Sequence, residues 1–235
     1  MALRGGLAVV CALLWPAVAC AAPHIVSAQY SGPTQAYDHG ILGDRTEWTE
    51  LSLRLSNGRK RVIHLPSRHV FEDTAPRLVD VDGDGEAEVI TVETNFDLGA
   101  RLAIYDENGL HAAAPFIGRT HRWLAPLGAA DLDGDGAVEI AYVDRPHLAR
   151  VLQVWRYESG ELSRVAEAGG VTNHRIGDAQ ISGGLRVCGA GPEMITLNSD
   201  WSRIIASRLV AGRIESRDIG PHQNAQALEM AMLCR

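Results

Sequence analysis

Residues 77–90 read Arg77-Leu-Val-Asp-Val-Asp-Gly-Asp-Gly-Glu-Ala-Glu-Val-Ile90, and residues 128–141 read Gly128-Ala-Ala-Asp-Leu-Asp-Gly-Asp-Gly-Ala-Val-Glu-Ile-Ala141. Asp80 maps onto Asp131 and Glu88 onto Glu139, both at an offset of 51. Each copy places a tight acidic, glycine-bearing loop between two short apolar runs, the pattern of strand, loop and strand. An internal period of this length marks a repeat architecture.

A second marker extends the period beyond these two copies. Turns ending in glycine fall at Asn57-Gly58, Asn108-Gly109, Ser159-Gly160 and Ala211-Gly212, spaced by 51, 51 and 52 residues. Each lies between runs with strand character, as hairpin turns do. Counting back from each turn predicts two further strands per repeat. In the outer copies these are Ile25 to Tyr30 with Tyr37 to Leu42, and Ala179 to Ile181 with Glu193 to Leu197.

Four short strands per repeat describe one blade of a β-propeller, in which each sheet buries its faces against its neighbours. The expected fold is all-β, a small propeller of four blades at about residues 24–70, 76–120, 127–173 and 177–220, with a docked segment 221–235. Five blades is the rival, because Ala225-Gln226 echoes Ala179-Gln180; the same segment also reads as a short helix through Ala225, Leu228 and Met232. An incomplete ring is the third possibility.

The two acidic copies resemble FG-GAP or VCBS repeats, the units of integrin α propellers and of many bacterial exported proteins. The strong motif covers residues 76–95 and 127–144.

Asp80, Asp82 and Asp84, and likewise Asp131, Asp133 and Asp135, supply oxygens at loop positions one, three and five, suited to a hard cation such as Ca²⁺. The resemblance adds a backbone carbonyl at position seven (Glu86 or Ala137) and a carboxylate at position nine (Glu88 or Glu139). Integrin-type loops usually carry aspartate at position nine, so glutamate is a departure. An EF-hand would need glutamate at position twelve, where Thr91 and Tyr142 stand. Two structural Ca²⁺ sites are therefore expected. Extracellular modules bind calcium at roughly 10⁻⁴ to 10⁻³ M.

The chain opens with Arg4, an apolar run from Leu7 to Ala19, and small residues at Ala19 and Ala21, the layout of a secretory signal peptide over residues 1–21. Cys20 also allows a weaker lipoprotein reading. Export to the periplasm or the exterior leaves residues 22–235 with one cysteine pair, Cys188 and Cys234, expected to be disulfide-bonded. A formal charge of -7 argues against a nucleic-acid partner, and no later run suits a membrane span.

His69, His121, His174 and His222 each follow a turn glycine by 10 to 14 residues and are candidates to gather on one face. Glu72, Asp73, Arg122, Arg175 and Asp178 share those inter-blade loops, and Trp123 is the candidate for an exposed stacking surface. No nucleophile elbow, zinc-protease helix or phosphate loop is recognisable. The leading expectation is a non-catalytic, calcium-binding binding or scaffolding module with an unknown protein or glycan ligand. The alternative is a carbohydrate-active lyase or hydrolase using the polar central face.

Overall fold

The computed structural model describes Met1 and residues 22–235; the leader read over residues 1–21 otherwise lies outside the described residues. The described chain is almost wholly β and propeller-like, with seventeen strands and one helix.

The first unit pairs β1 (Ile25–Thr34) with β2 (Glu47–Leu55) and β2 with β3 (Lys60–His64). The second begins with an interrupted inner strand. Both β4 (His69–Phe71) and β5 (Arg77–Val79) pair with β6 (Glu88–Asn95), β4 against residues 93–95 and β5 against 88–90. Then follow β7 (Gly99–Asp106) and β8 (Gly109–Ala113). The third unit is β9 (Leu124–Ala130), β10 (Glu139–Asp144), β11 (Val151–Glu158) and β12 (Glu161–Gly169), paired in that order. The fourth again has a split inner strand, β13 (Val171–Thr172) and β14 (Gly184–Val187), both against β15 (Pro192–Asn198), followed by β16 (Arg203–Val210) and β17 (Arg213–Pro221). A single bridge, Trp48 to Phe71, joins the first two units into one sheet.

The four turn signals all form hairpins. Ser159 and Gly160 (φ 51° and 89°), and Ala211 and Gly212 (φ 48° and 72°), take left-handed conformations at both central positions, the twist that a two-residue hairpin requires. Two expected strands do not form. Tyr37 to Leu42 is a loop because β1 runs on to Thr34 and pairs directly with β2. Ala179 to Ile181 is irregular, and Gly184–Val187 supplies the strand instead.

Successive residues of the central strands face opposite neighbours. In β6, Val89 packs with Leu51 and Leu53 of the first unit and with Phe71 of β4, while Ile90 and Val92 pack with Leu124, Ile140 and Tyr142 of the third. In β10, Ala141 and Val143 turn the other way, toward Met194 and Leu209 of the fourth unit. With both faces covered, β6 and β10 are buried almost end to end and leave no face in solvent. Each fully buried Leu or Ile contributes about 1.5–3 kcal/mol.

The outward face of the fourth unit is covered by α1 (Ala225–Met232): Ile195, Leu197, Ile204 and Ala206 pack on Leu228 and Ala231. The helix is capped by Asn224, whose side chain accepts from the Ala227 N–H. The segment with the five-blade echo is thus a helix. The first and fourth units meet through loops, where the Gly177 N–H donates to the Ile41 carbonyl at 3.0 Å. Cys188 and Cys234 are disulfide-bonded, tying the end of the chain to the loop after β14.

Candidate metal centres

The acidic loops occupy matching places, β5 to β6 and β9 to β10, between the inner strand and the next. Strands on both sides agree with the exclusion of an EF-hand. Gly83 and Gly85 (φ 78° and 90°) and Gly134 and Gly136 (φ 84° and 92°) hold left-handed backbone, which residues with a Cβ resist.

The same hydrogen bonds shape both loops. Asp80 accepts from the N–H groups of Gly83 (2.7 Å) and Gly85 (2.9 Å), and Asp131 accepts from those of Gly134 (2.7 Å) and Gly136 (3.0 Å). Glu88 accepts from the Val81 N–H and Glu139 from the Leu132 N–H, both at 2.9 Å. These bonds carry the position-nine carboxylate back across the loop to positions one and three. Asp80, Asp82 and Glu88 place ligand oxygens within 4.8 Å of one another, as do Asp131, Asp133 and Glu139, so either cluster could hold a metal ion.

Asp84 and Asp135 are not members of these triads. Asp84 and Asp135 accept from the N–H of Glu86 (2.8 Å) and Ala137 (2.9 Å), and the Glu86 side chain lies 3.9 Å from His24. Burial raises the carboxyl pKa of Glu88, against the Val81 hydrogen bond, and Asp82, Asp84 and Asp80 raise it further. Burial likewise raises that of Glu139, but there Arg156 pulls downward.

This contrast traces to the third strand of each unit. Arg156 stands directly opposite Glu139 in the β10–β11 ladder. Its guanidinium reaches Glu139 (2.5 Å), Asp135 (2.8 Å) and Asp133 (3.2 Å). In the second unit the residue next in register after the Val89–Tyr105 pair, opposite Glu88, is Asp106. Asp106 caps its own hairpin by accepting from the Asn108 and Gly109 N–H groups, and His111 lies 3.3 Å from its other oxygen. A hollow of about 130 Å³ between Asp106 and the first loop is lined by Asp82, Asp84, Glu86 and Glu88. Among the described residues, no lysine or arginine is paired with these carboxylates.

The candidate histidines divide. His121 lines one small hollow with His39 and His147, neither of which the sequence periodicity anticipated, and His174 is buried beside His147. The His39 ring stacks on His121 with centroids 5.0 Å apart, and His147 Nε2 is 3.2 Å from His174 Nδ1. His39 Nδ1 is hydrogen-bonded to the buried Glu72, which also accepts from the Thr94 hydroxyl at 2.8 Å. His69 instead pairs with Glu93 at 2.5 Å, and His222 contacts the Trp201 carbonyl.

The other loop candidates scatter as well. Asp73 is buried against Arg77, and Arg175 lies over the Trp201 ring at 4.2 Å. Trp123 is a correction: it is 2 % exposed, and its indole N–H donates to the Glu72 carbonyl at 2.7 Å. The apolar demand of the second and third units draws it inward.

The fold is small and β-propeller-like, and its acidic loops at equivalent blade positions are similar to FG-GAP repeats. The FG-GAP-like repeat model matches residues 80–142, from the first residue of the first acidic loop into β10. No curated protein matches the chain. Among the described residues, no helix is long and apolar enough to cross a membrane.

Proposed function

We propose that this protein is an exported, calcium-braced binding or scaffolding module, in which Ca²⁺ at the acidic loops fixes the central blades and the protein performs no catalysis of its own. The observation that carries this reading is the acidic triad repeated at matching blade positions, Asp80, Asp82 and Glu88 and then Asp131, Asp133 and Glu139, inside the FG-GAP-like match. Calcium would be held by these carboxylates, and it would neutralise charges that otherwise repel by about 1 kcal/mol per close pair in water. A disulfide, which persists in oxidising compartments, supports export.

The partner is a protein or a glycan bound by the polar loop face. A pull-down from the cell envelope, run beside a glycan panel with and without calcium, tests this. Calcium-dependent capture that survives Glu72→Gln supports a binding module.

One observation favours a second reading. The stacked His39 and His121, with His39 hydrogen-bonded to the buried Glu72, and His147, which lines the same hollow and contacts His174, are groups able to transfer protons. Turnover of a polysaccharide that is abolished by Glu72→Gln would make the protein a carbohydrate-active enzyme instead.

A further inference from the structure

We propose that Arg156 takes the place of the cation in loop 131–139, so that the protein binds a single calcium ion, at loop 80–88. This rests on the calcium reading above and separates two loops that look equivalent in sequence.

Three units retain a buried glutamate at one structural position, opposite the end of the inner strand: Glu88 opposite Val79, Glu139 opposite Ala130, and Glu193 opposite Arg186. Their surroundings form a series. Glu88 is accompanied by Asp80, Asp82, Asp84, Glu86 and, across the ladder, Asp106, with no arginine or lysine paired to the group among the described residues. Glu139 is accompanied by three aspartates and by Arg156. Glu193 has lost the aspartates altogether and is neutralised by Arg186 (2.7 Å) and Arg217 (2.6 Å).

The residue across the ladder follows the same order. It is Asp106 in the second unit and Arg156 in the third; in the fourth, one step beyond the Met194–Ser207 pair, it is Arg208, hydrogen-bonded to the Ala190 carbonyl in the shortened loop. The buried carboxylate is thus matched by positive charge in the third and fourth units, and in the second that charge is left to a bound cation.

Arg156 is well placed for this role. One guanidinium satisfies Glu139, Asp133 and Asp135 at once, and two of these, Asp133 and Glu139, belong to the triad that would hold the metal. A divalent ion entering that triad must displace the guanidinium or sit beside a like charge. Loop 131–139 also has Ala137 where the first loop has Glu86. Affinity there is expected to be at least about 100-fold lower than at loop 80–88.

Calorimetric titration of the purified, chelator-treated protein with CaCl₂ tests the assignment. One ion per chain is expected for the wild type, two for Arg156→Gln, and none for Asp106→Arg, with circular dichroism confirming that each variant is folded. Should Arg156→Gln not fold, the paired variants decide: Asp80→Asn with Asp82→Asn abolishes binding, and Asp131→Asn with Asp133→Asn leaves it at one. Two ions in the wild type, or one ion lost on changing Asp131 and Asp133, overturns the assignment and leaves the calcium reading standing. No binding by the folded wild type overturns the calcium reading itself.

Discussion

Arg156 and Glu139 face each other across the β10–β11 ladder, and the guanidinium sits 2.5 Å from a carboxylate that is otherwise buried. Removing the arginine leaves Glu139 unpaired, a loss that lies between the cost at exposed and at fully buried pairs. Arg156→Ala is expected to lower unfolding stability by about 2 kcal/mol in chelator, read from urea denaturation. Millimolar calcium should restore part of that loss in the variant, while changing the wild type through loop 80–88 alone.

Glu47 opens β2, 3 % exposed, and its carboxyl is pushed up to about 9, first by burial and then by Glu72 and Asp44. The folded state therefore holds a proton that the unfolded chain releases near 4.5. Stability from this group falls as pH rises from about 4.5 to 9, because the folded state binds more protons across that window. Glu47→Gln should stabilise the protein at pH 8 and have little effect at pH 4.5, measured as paired melting curves.

His147 carries the opposite dependence. Burial first, and then neighbouring His174, lower its pKa to about 4, so the stability it contributes as a neutral ring is lost as pH falls from 6.5 toward 4. Replacing it by Asn should flatten the acid side of the stability profile and leave the alkaline side unchanged.

The Cys188–Cys234 bond spans 46 residues and joins the loop after β14 to the end of the chain beyond α1. Constraint of the unfolded chain by a loop of that length corresponds to about 4 kcal/mol on the chain-entropy account. Cys188→Ser with Cys234→Ser should lose up to that amount. Because α1 covers Ile195 and Leu197, amide exchange in β15 should accelerate more than in β6.

The repeat was legible because its markers are local. Asp-x-Asp-Gly-Asp-Gly and the turn glycines write their conformations into neighbouring residues, so the hairpins and the order of units follow from spacing. What the sequence concealed depends on register. Arg156 is 17 residues beyond Glu139, and its position opposite that glutamate is set by the length of the β10–β11 connection. Between equivalent positions the β6–β7 hairpin is one residue longer, Glu93 to Arg101 against Asp144 to Val151, which slips the match by one and brings Asp106, rather than Tyr105, to the corresponding place.

The histidine group was half legible for a related reason. His121 and His174 follow the repeat spacing, whereas His39 arrives on the loop that replaces an expected strand, and His147 on a connection with left-handed backbone at Arg145 and Arg150. Trp123 showed the limit of reading exposure from loop position, since packing between units drew it into the core.

The central claim, that calcium braces this fold, is tested most directly by thermal unfolding of the purified protein in chelator and at calcium tenfold above the dissociation constant. A gain of about 1.4 kcal/mol per site corresponds to a rise of about 3–6 °C for a domain of this size, and Asp80→Asn with Asp82→Asn should abolish it. Superimposable melting curves for the wild type in chelator and in calcium would contradict the account.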